Sequence, residues 1–125
     1  MSLIEIHGRL ANTALLYTGI LALWGLWRFF RRQGVDSSYW GAVMIAEILY
    51  LAQAGLGAFI YFTGIGNLAG RSMHILYGVV SVLVIPGIFF YTRGDEQRRV
   101  ILIYAIGLLF TIGILLRAMS TVGAF

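Results

Sequence analysis

The chain has 125 residues, of which 60% are hydrophobic and only 11% are charged, and its formal net charge is +4. A soluble domain of this length needs much more polar surface, so the composition predicts a single transmembrane domain over residues 1–125. Cysteine is absent, which excludes disulfides, thiolate metal ligands and cysteine nucleophiles. The nine basic residues are all arginines in short segments between apolar runs, so we expect a lipid bilayer as partner and no nucleic acid.

Four apolar runs follow one another along the chain, and each is close to or longer than the roughly 20 residues that cross about 30 Å of hydrocarbon. They cover about residues 10–30, 39–64, 73–92 and 100–122. Short polar connections separate them, and short connections force neighbouring helices to run antiparallel. The sequence therefore predicts an all-α fold, a transmembrane four-helix up-down bundle.

The first helix follows a polar segment that contains His7, one of only two histidines, with Glu5 and Arg9 beside it. This segment lacks the basic start of a signal peptide, and the next run is long enough to span, so cleavage is not expected. Glu5 either orients the imidazole of His7 or is simply solvated.

The second helix carries Glu47 and Gln53 inside an apolar run. A carboxyl group is expensive in a bilayer when it is ionised, so we expect Glu47 to be protonated or paired, with Arg28 as a candidate partner. A hydrogen bond to another helix is the simpler role for Glu47, and a proton relay is the alternative.

The third helix begins near His74, with Arg71 three residues before it, and Pro86 is expected to kink it. The fourth helix carries Arg117 within an apolar run. An arginine at that position either snorkels to the interface or binds an anion.

The arginines are divided unequally between the two ends of the predicted bundle. Six flank the first and third connections, and three lie at the opposite end: Arg28, Arg31, Arg32, Arg93, Arg98 and Arg99 against Arg9, Arg71 and Arg117. Because arginine-rich loops stay in the cytoplasm, we expect a multi-pass protein of the cell inner (plasma) membrane with both termini on the non-cytoplasmic side.

The two histidines are expected at nearly equal depth, because the first and third helices run in the same direction. From His7 to Arg28 and from His74 to Arg93, helices with a rise of 1.5 Å per residue extend about 31 and 29 Å. A heme iron takes two axial nitrogens that face each other, and parallel helices with histidines at matching height supply them. The alternative is a pair of unrelated histidines at helix ends.

Three arginines share the end of the bundle that holds the histidines. Heme propionates bind guanidinium groups in partly dry sites, so Arg9, Arg71 and Arg117 are expected to bind the propionates of one heme b. His7 and His74 are the expected ligands of its iron.

Short motifs of one stretch resemble a known family. They are Ile6-His7-Gly8-Arg9, Gln53-Ala54-Gly55-Leu56-Gly57, Thr63-Gly64-Ile65 and His74-Ile75-Leu76. Over about residues 5–85 the chain resembles heme A synthase, a family of two repeated four-helix bundles with paired heme-ligating histidines. The resemblance implies one bis-histidine site with His7 and His74 as its ligands. The motif residue Gln53 is also expected to take part in binding the cofactor.

The chain departs from heme A synthase in two respects. It has about half the family's length, and Glu5 lies two residues before His7 where the family has its glutamate three residues before the histidine. A single heme site without synthase activity is therefore expected. The chain also looks like an uncharacterised group of small four-helix bacterial membrane proteins.

These features predict a b-type heme protein for electron transfer or heme handling, linked to respiratory enzymes and with a respiratory or periplasmic redox partner. With both axial positions filled, electron transfer is favoured over oxygen chemistry. Two alternatives are a cofactor-free accessory subunit that packs on a larger membrane complex, and a small proton-coupled carrier that uses Glu47.

Overall fold

The fold is taken from a computed structural model that describes residues 2–63 and 71–121, apart from the side chain of Arg71. These residues form four α-helices and no strand: α1 (Leu3–Phe30), α2 (Ser37–Thr63), α3 (Arg71–Thr92) and α4 (Arg98–Ser120). Each helix is long and apolar enough to cross a membrane. The prediction of an all-α four-helix bundle is confirmed.

Helix α1 begins at Leu3, well before the predicted start at about residue 10. The hydroxyl of Ser2 accepts a hydrogen bond of 3.1 Å from the amide of Glu5 and so caps the helix. The polar residues of the first turns interrupt the apolar run but not the helix. Helices α2, α3 and α4 each begin two residues before the predicted position, and the predicted ends at residues 64 and 122 lie outside the described part of the chain.

Each helix contacts its neighbours along the chain, and α1 also contacts α4, which closes the bundle. The α1–α4 interface is the most extensive and the α2–α3 interface the least. Helices α1 and α3 therefore lie diagonally opposite each other. Because α2 and α4 run antiparallel to them, the first turns of α1 and α3 meet the last turns of α2 and α4 at one end of the bundle.

The interior of the bundle contains hydroxyl groups as well as apolar side chains. The hydroxyl of Tyr17 donates to the carbonyl of Ala42 at 2.6 Å, and the buried hydroxyls of Thr18 and Tyr50 bond to each other. Large apolar side chains instead cover the outside, where Leu16 keeps 69% of its surface exposed. An apolar exterior around hydroxyl groups that bond inside the bundle, as those of Tyr17, Thr18 and Tyr50 do, suits a bundle that is surrounded by lipid.

The first connection, between α1 and α2, and the third, between α3 and α4, lie at the same end of the bundle and are hydrogen-bonded to each other. The guanidinium of Arg28 donates to the carbonyl of Gly34 at 2.6 and 3.0 Å and pairs with Asp36 at 3.3 Å. The amide of Val35 donates to the carbonyl of Glu96 at 2.9 Å, which joins the first connection to the third. Gly34 lies so close to this carbonyl that a Cβ atom would not fit.

Candidate functional site

The two histidines meet across the diagonal of the bundle. His7 lies in the second turn of α1 and His74 in the first turn of α3. Their ring centroids are 6.0 Å apart, and the ring planes are inclined by 70°. Both side chains are half-buried. All four helices contribute to their surroundings, because the last turns of α2 and α4 lie at the same end.

Helix α4 orients the imidazole of His74. Its Nδ1 lies 2.8 Å from the carbonyl oxygen of Ala118 and 3.2 Å from the hydroxyl of Thr121, which itself donates to that carbonyl. Because a carbonyl only accepts, we assign the ring proton to Nδ1, which leaves the lone pair on Nε2. A histidine that binds a metal commonly donates its other ring N–H to a backbone carbonyl in this way.

Helix α2 positions His7. The side-chain amide of Gln53 donates to the backbone carbonyl of His7 at 2.8 Å. One turn further along α2, Gly57 lies against the imidazole, and a Cβ atom there would be 3.2 Å from Cε1 and 3.7 Å from Nε2. A glycine is therefore needed if the ring is to pack against the backbone of α2 at this distance.

Two polar atoms of this site are buried without a hydrogen-bond partner among the described residues. They are Nδ1 of His7 and Oε1 of Gln53. Buried polar atoms are nearly always hydrogen-bonded, so the partners of these two atoms are expected to lie outside the described residues. As far as the described residues go, Nδ1 of His7 can accept a proton or bind a ligand.

The separation of the rings suits two nitrogens on opposite sides of one metal ion. Metal–nitrogen bonds are about 2 Å long, which puts the two nitrogens about 4 Å apart and the centroids of their rings about 6 Å apart. The rings of His7 and His74 are at that separation. Within residues 2–63 and 71–121, no three His, Cys, Asp or Glu side chains are grouped so that they could hold a metal ion.

The three arginines predicted to bind propionates belong to the end of the bundle that holds the histidines. Arg9 and Arg117 are exposed, and neither forms an ion pair with an acid in the described part of the chain. Arg71 begins α3, three residues before His74, and its side chain lies outside the description. Both ion pairs among the described residues lie at the other end of the bundle, where Arg28 and Arg99 are paired.

Two contacts that the sequence allowed as alternatives are not formed. Arg28 does not pair with Glu47, because its guanidinium reaches over the first connection to Gly34 and Asp36. Glu47 lies ten residues into α2, about 15 Å along the helix from its start. Glu5 does not orient His7, since its side chain is exposed and Nδ1 of His7 has no partner in the described segments.

Sequence reasoning missed Ala118 and Thr121. Any residue offers a backbone carbonyl, so no pattern marks Ala118 as the acceptor for His74. The sequence did indicate Gly57, because this glycine follows Gln53 by one turn on the same helix face. No family model, no curated protein and no solved structure matches this chain. The resemblance to heme A synthase therefore remains a prediction.

Proposed function

We propose that this protein binds one heme b in the cell inner (plasma) membrane, with His7 and His74 as the axial ligands of its iron. The separation of 6.0 Å between the two imidazoles carries this proposal. The hydrogen bond from Nδ1 of His74 to Ala118 supports it, because it leaves Nε2 with the lone pair that a metal requires. Nδ1 of His7, which has no hydrogen-bond partner among the described residues, is in agreement.

The number of protein nitrogens favours heme over a bare metal ion. Structural zinc takes four protein ligands, whereas a porphyrin supplies the equatorial nitrogens and leaves two axial positions for the protein. The exposed guanidinium groups of Arg9 and Arg117 lack acidic partners in the described segments, so both are available for propionates. Arg71 is assigned the same role from its position just before His74.

The chain's own residues fix the two ligands from different helices. Ala118 and Thr121 set the proton position and the orientation of His74, while Gln53 and Gly57 hold the backbone and the ring of His7. When bound, heme supplies one-electron oxidation and reduction at its iron. Two histidine ligands leave no open position for oxygen, which favours electron transfer, or heme handling, near respiratory enzymes.

The distribution of arginines supports one orientation of the protein in the membrane. Paired and unpaired arginines concentrate at the end formed by the first and third connections, which we infer to be cytoplasmic. Both termini and the histidine site then belong to the non-cytoplasmic side, within reach of a periplasmic redox partner.

The test is a reduced-minus-oxidised absorption spectrum of the protein purified in detergent, with the heme content measured per chain. We expect one heme per chain, lost in His7→Ala and in His74→Ala. His74→Met is the matched variant, since methionine also ligates heme iron and is expected to retain heme with a raised reduction potential. Asp95→Ala, at the opposite end, is expected to leave the spectrum unchanged.

A protein that stays colourless after hemin is added, or a spectrum that survives both alanine variants, would contradict the proposal. A colourless protein that co-purifies with a multi-subunit membrane assembly would instead favour the accessory subunit.

A further inference from the structure

Positive charge is concentrated at the end of the bundle that lies opposite the histidines. Six arginines and three acids belong to this end, and six positive charges less three negative ones give +3: Arg28, Arg31, Arg32, Arg93, Arg98 and Arg99, with Asp36, Asp95 and Glu96. Arg28 pairs with Asp36 at 3.3 Å. Arg99 pairs with Asp95 at 3.4 Å. The other four arginines are exposed and form no ion pair within the described segments.

Two of these four arginines are fixed on the last turn of α1. The Nε group of Arg98, at the start of α4, donates to the carbonyl of Phe29 at 2.7 Å, and its guanidinium lies 4.0 Å from the centroid of the Phe29 ring. The guanidinium of Arg31 lies over the ring of Trp27, 5.2 Å from its centroid.

These contacts leave most of the guanidinium donors available. Arg98 uses its Nε, whereas its Nη groups, like the whole guanidinium of Arg31, make no hydrogen bond to a described residue. The rings and the carbonyl already restrict both side chains, so less conformational entropy is lost when an anion binds them.

The last turn of α1 lies at the depth where a membrane span meets the lipid headgroups. Trp27 and Phe30 keep 57% and 74% of their surfaces exposed there, and Phe90 and Tyr91 are exposed at the matching end of α3. Exposed tryptophan and tyrosine side chains at the ends of spans mark the boundary between hydrocarbon and headgroups. Because Arg31 lies over the exposed ring of Trp27, its charge is on the outside of the bundle, where lipid headgroups are its neighbours.

We propose that Arg31 and Arg98 bind the phosphates of anionic phospholipid headgroups. Guanidinium groups donate paired hydrogen bonds to phosphate oxygens, and the donors described above have no competing acid among the described residues. A zwitterionic headgroup also has a phosphate, but its ammonium group is repelled by the charge of +3 at this end, so anionic lipid is preferred. The surface lies opposite the histidines and does not depend on the heme proposal.

The experiment measures lipid selectivity with Trp27 as the reporter, in the whole chain reconstituted into phosphatidylcholine bilayers. In a W24F/W40F background, Trp27 is the one tryptophan left of three. Part of the lipid is replaced by brominated phosphatidylglycerol or by brominated phosphatidylcholine, and the bromines quench a tryptophan that the lipid touches. Phosphatidylglycerol is expected to be favoured about fivefold, the factor that corresponds to one arginine at an anionic membrane surface.

Three variants separate a specific contact from diffuse charge. Arg31→Gln is expected to lower the preference for phosphatidylglycerol to about twofold or less, and Arg31→Lys, which keeps the charge but not the planar fork, to give an intermediate value. Arg99→Gln is the matched control, because it removes one positive charge from the same end but takes away an arginine that is already paired with Asp95. Its preference is expected to stay close to that of the parent.

The fold of Arg31→Gln is expected to be retained, because within the described part of the chain this side chain contacts the exposed ring of Trp27. Circular dichroism and the melting temperature check this. Both brominated lipids quench the same tryptophan, so their ratio is insensitive to any change that the substitution causes in the emission of Trp27.

Three results would overturn the lipid site. Equal quenching by the two brominated lipids in the parent would leave these arginines to an acidic protein partner. An unchanged preference in a folded Arg31→Gln variant would exclude this arginine as a ligand. Equal losses in Arg31→Gln and Arg99→Gln would mean that the charge of the whole end attracts the lipid and that no particular arginine binds it. The heme spectrum is measured separately and is expected to be the same in all these variants.

Discussion

Replacing Gly57 with alanine tests whether α2 positions His7. A Cβ atom at residue 57 would lie 3.2 Å from Cε1 of the imidazole, whereas carbon atoms pack best at about 3.5–4.0 Å. The ring must move by several tenths of an ångström, and such a shift would weaken the proposed site with two histidine ligands. We expect the affinity for hemin to fall about tenfold, in line with other losses of ligand orientation around metals.

The same substitution is expected to weaken hemin binding but not to destabilise the helix. Alanine is favoured over glycine inside a helix by about 1 kcal/mol, so the fold of Gly57→Ala is expected to be as stable as the parent or slightly more stable. Gly55→Ala is the matched control, because no atom of another described segment lies within 4 Å of the Cβ position at residue 55 on the same helix. It is expected to stabilise the apoprotein by about 1 kcal/mol and to leave hemin affinity unchanged.

Two measurements decide the outcome: thermal unfolding of the apoprotein in detergent by circular dichroism, and hemin titration followed at the Soret band. Equal hemin affinity of the Gly57→Ala and Gly55→Ala variants would refute the contact between α2 and His7. A loss of helicity in Gly57→Ala alone would assign the glycine to packing of the bundle instead.

Three further outcomes are expected. Gly34→Ala is expected to destabilise the fold by about 1–3 kcal/mol, because its Cβ would overlap the carbonyl of Glu96, and Gly41→Ala, with open space, is its control in thermal unfolding. Arg28→Ala is expected to cost about 1.5–3 kcal/mol, since the carbonyl that it contacts loses a charged donor; an unchanged melting temperature would contradict this role. Thr121→Val removes a hydroxyl that lies 3.2 Å from Nδ1 of the histidine in α3, and it is expected to weaken hemin binding up to about tenfold. If a hemin titration gives the variant the same affinity as the parent, the hydroxyl has no role in orienting that histidine.

The helices were predictable because an apolar run of about 20 residues has few other uses than crossing a membrane. The start of α1 was not, because Glu5, His7 and Arg9 lower the local hydropathy while the cap by Ser2 still allows the helix to form. Hydropathy measures which residues prefer lipid. It contains no information on where the backbone hydrogen bonds of a helix begin, so it could not give the start of α1.

The meeting of the two histidines followed from helix rise and antiparallel order, which fix depth but not the direction of a side chain. The residues that orient the two histidines could not be predicted from the sequence. The carbonyl of Ala118, for example, is a backbone group, and whether it contacts His74 depends on how α4 is rotated about its axis. The candidate pairing of Arg28 with Glu47 is not formed. A nearby carbonyl, that of Gly34, and a nearby acid, Asp36, were both within reach across a short turn, so the buried Glu47 had no advantage as a partner.

The diagonal position of the histidines has a consequence for assembly. His7 belongs to the first helical hairpin and His74 to the second, so a single ligand held by both side chains would crosslink the two halves of the chain. Loading with cofactor and association of the hairpins then become one coupled equilibrium, in which free ligand stabilises the joined form by mass action. Two separately expressed hairpins, 1–63 and 71–125, would be expected to reassociate more tightly as the supply of cofactor rises.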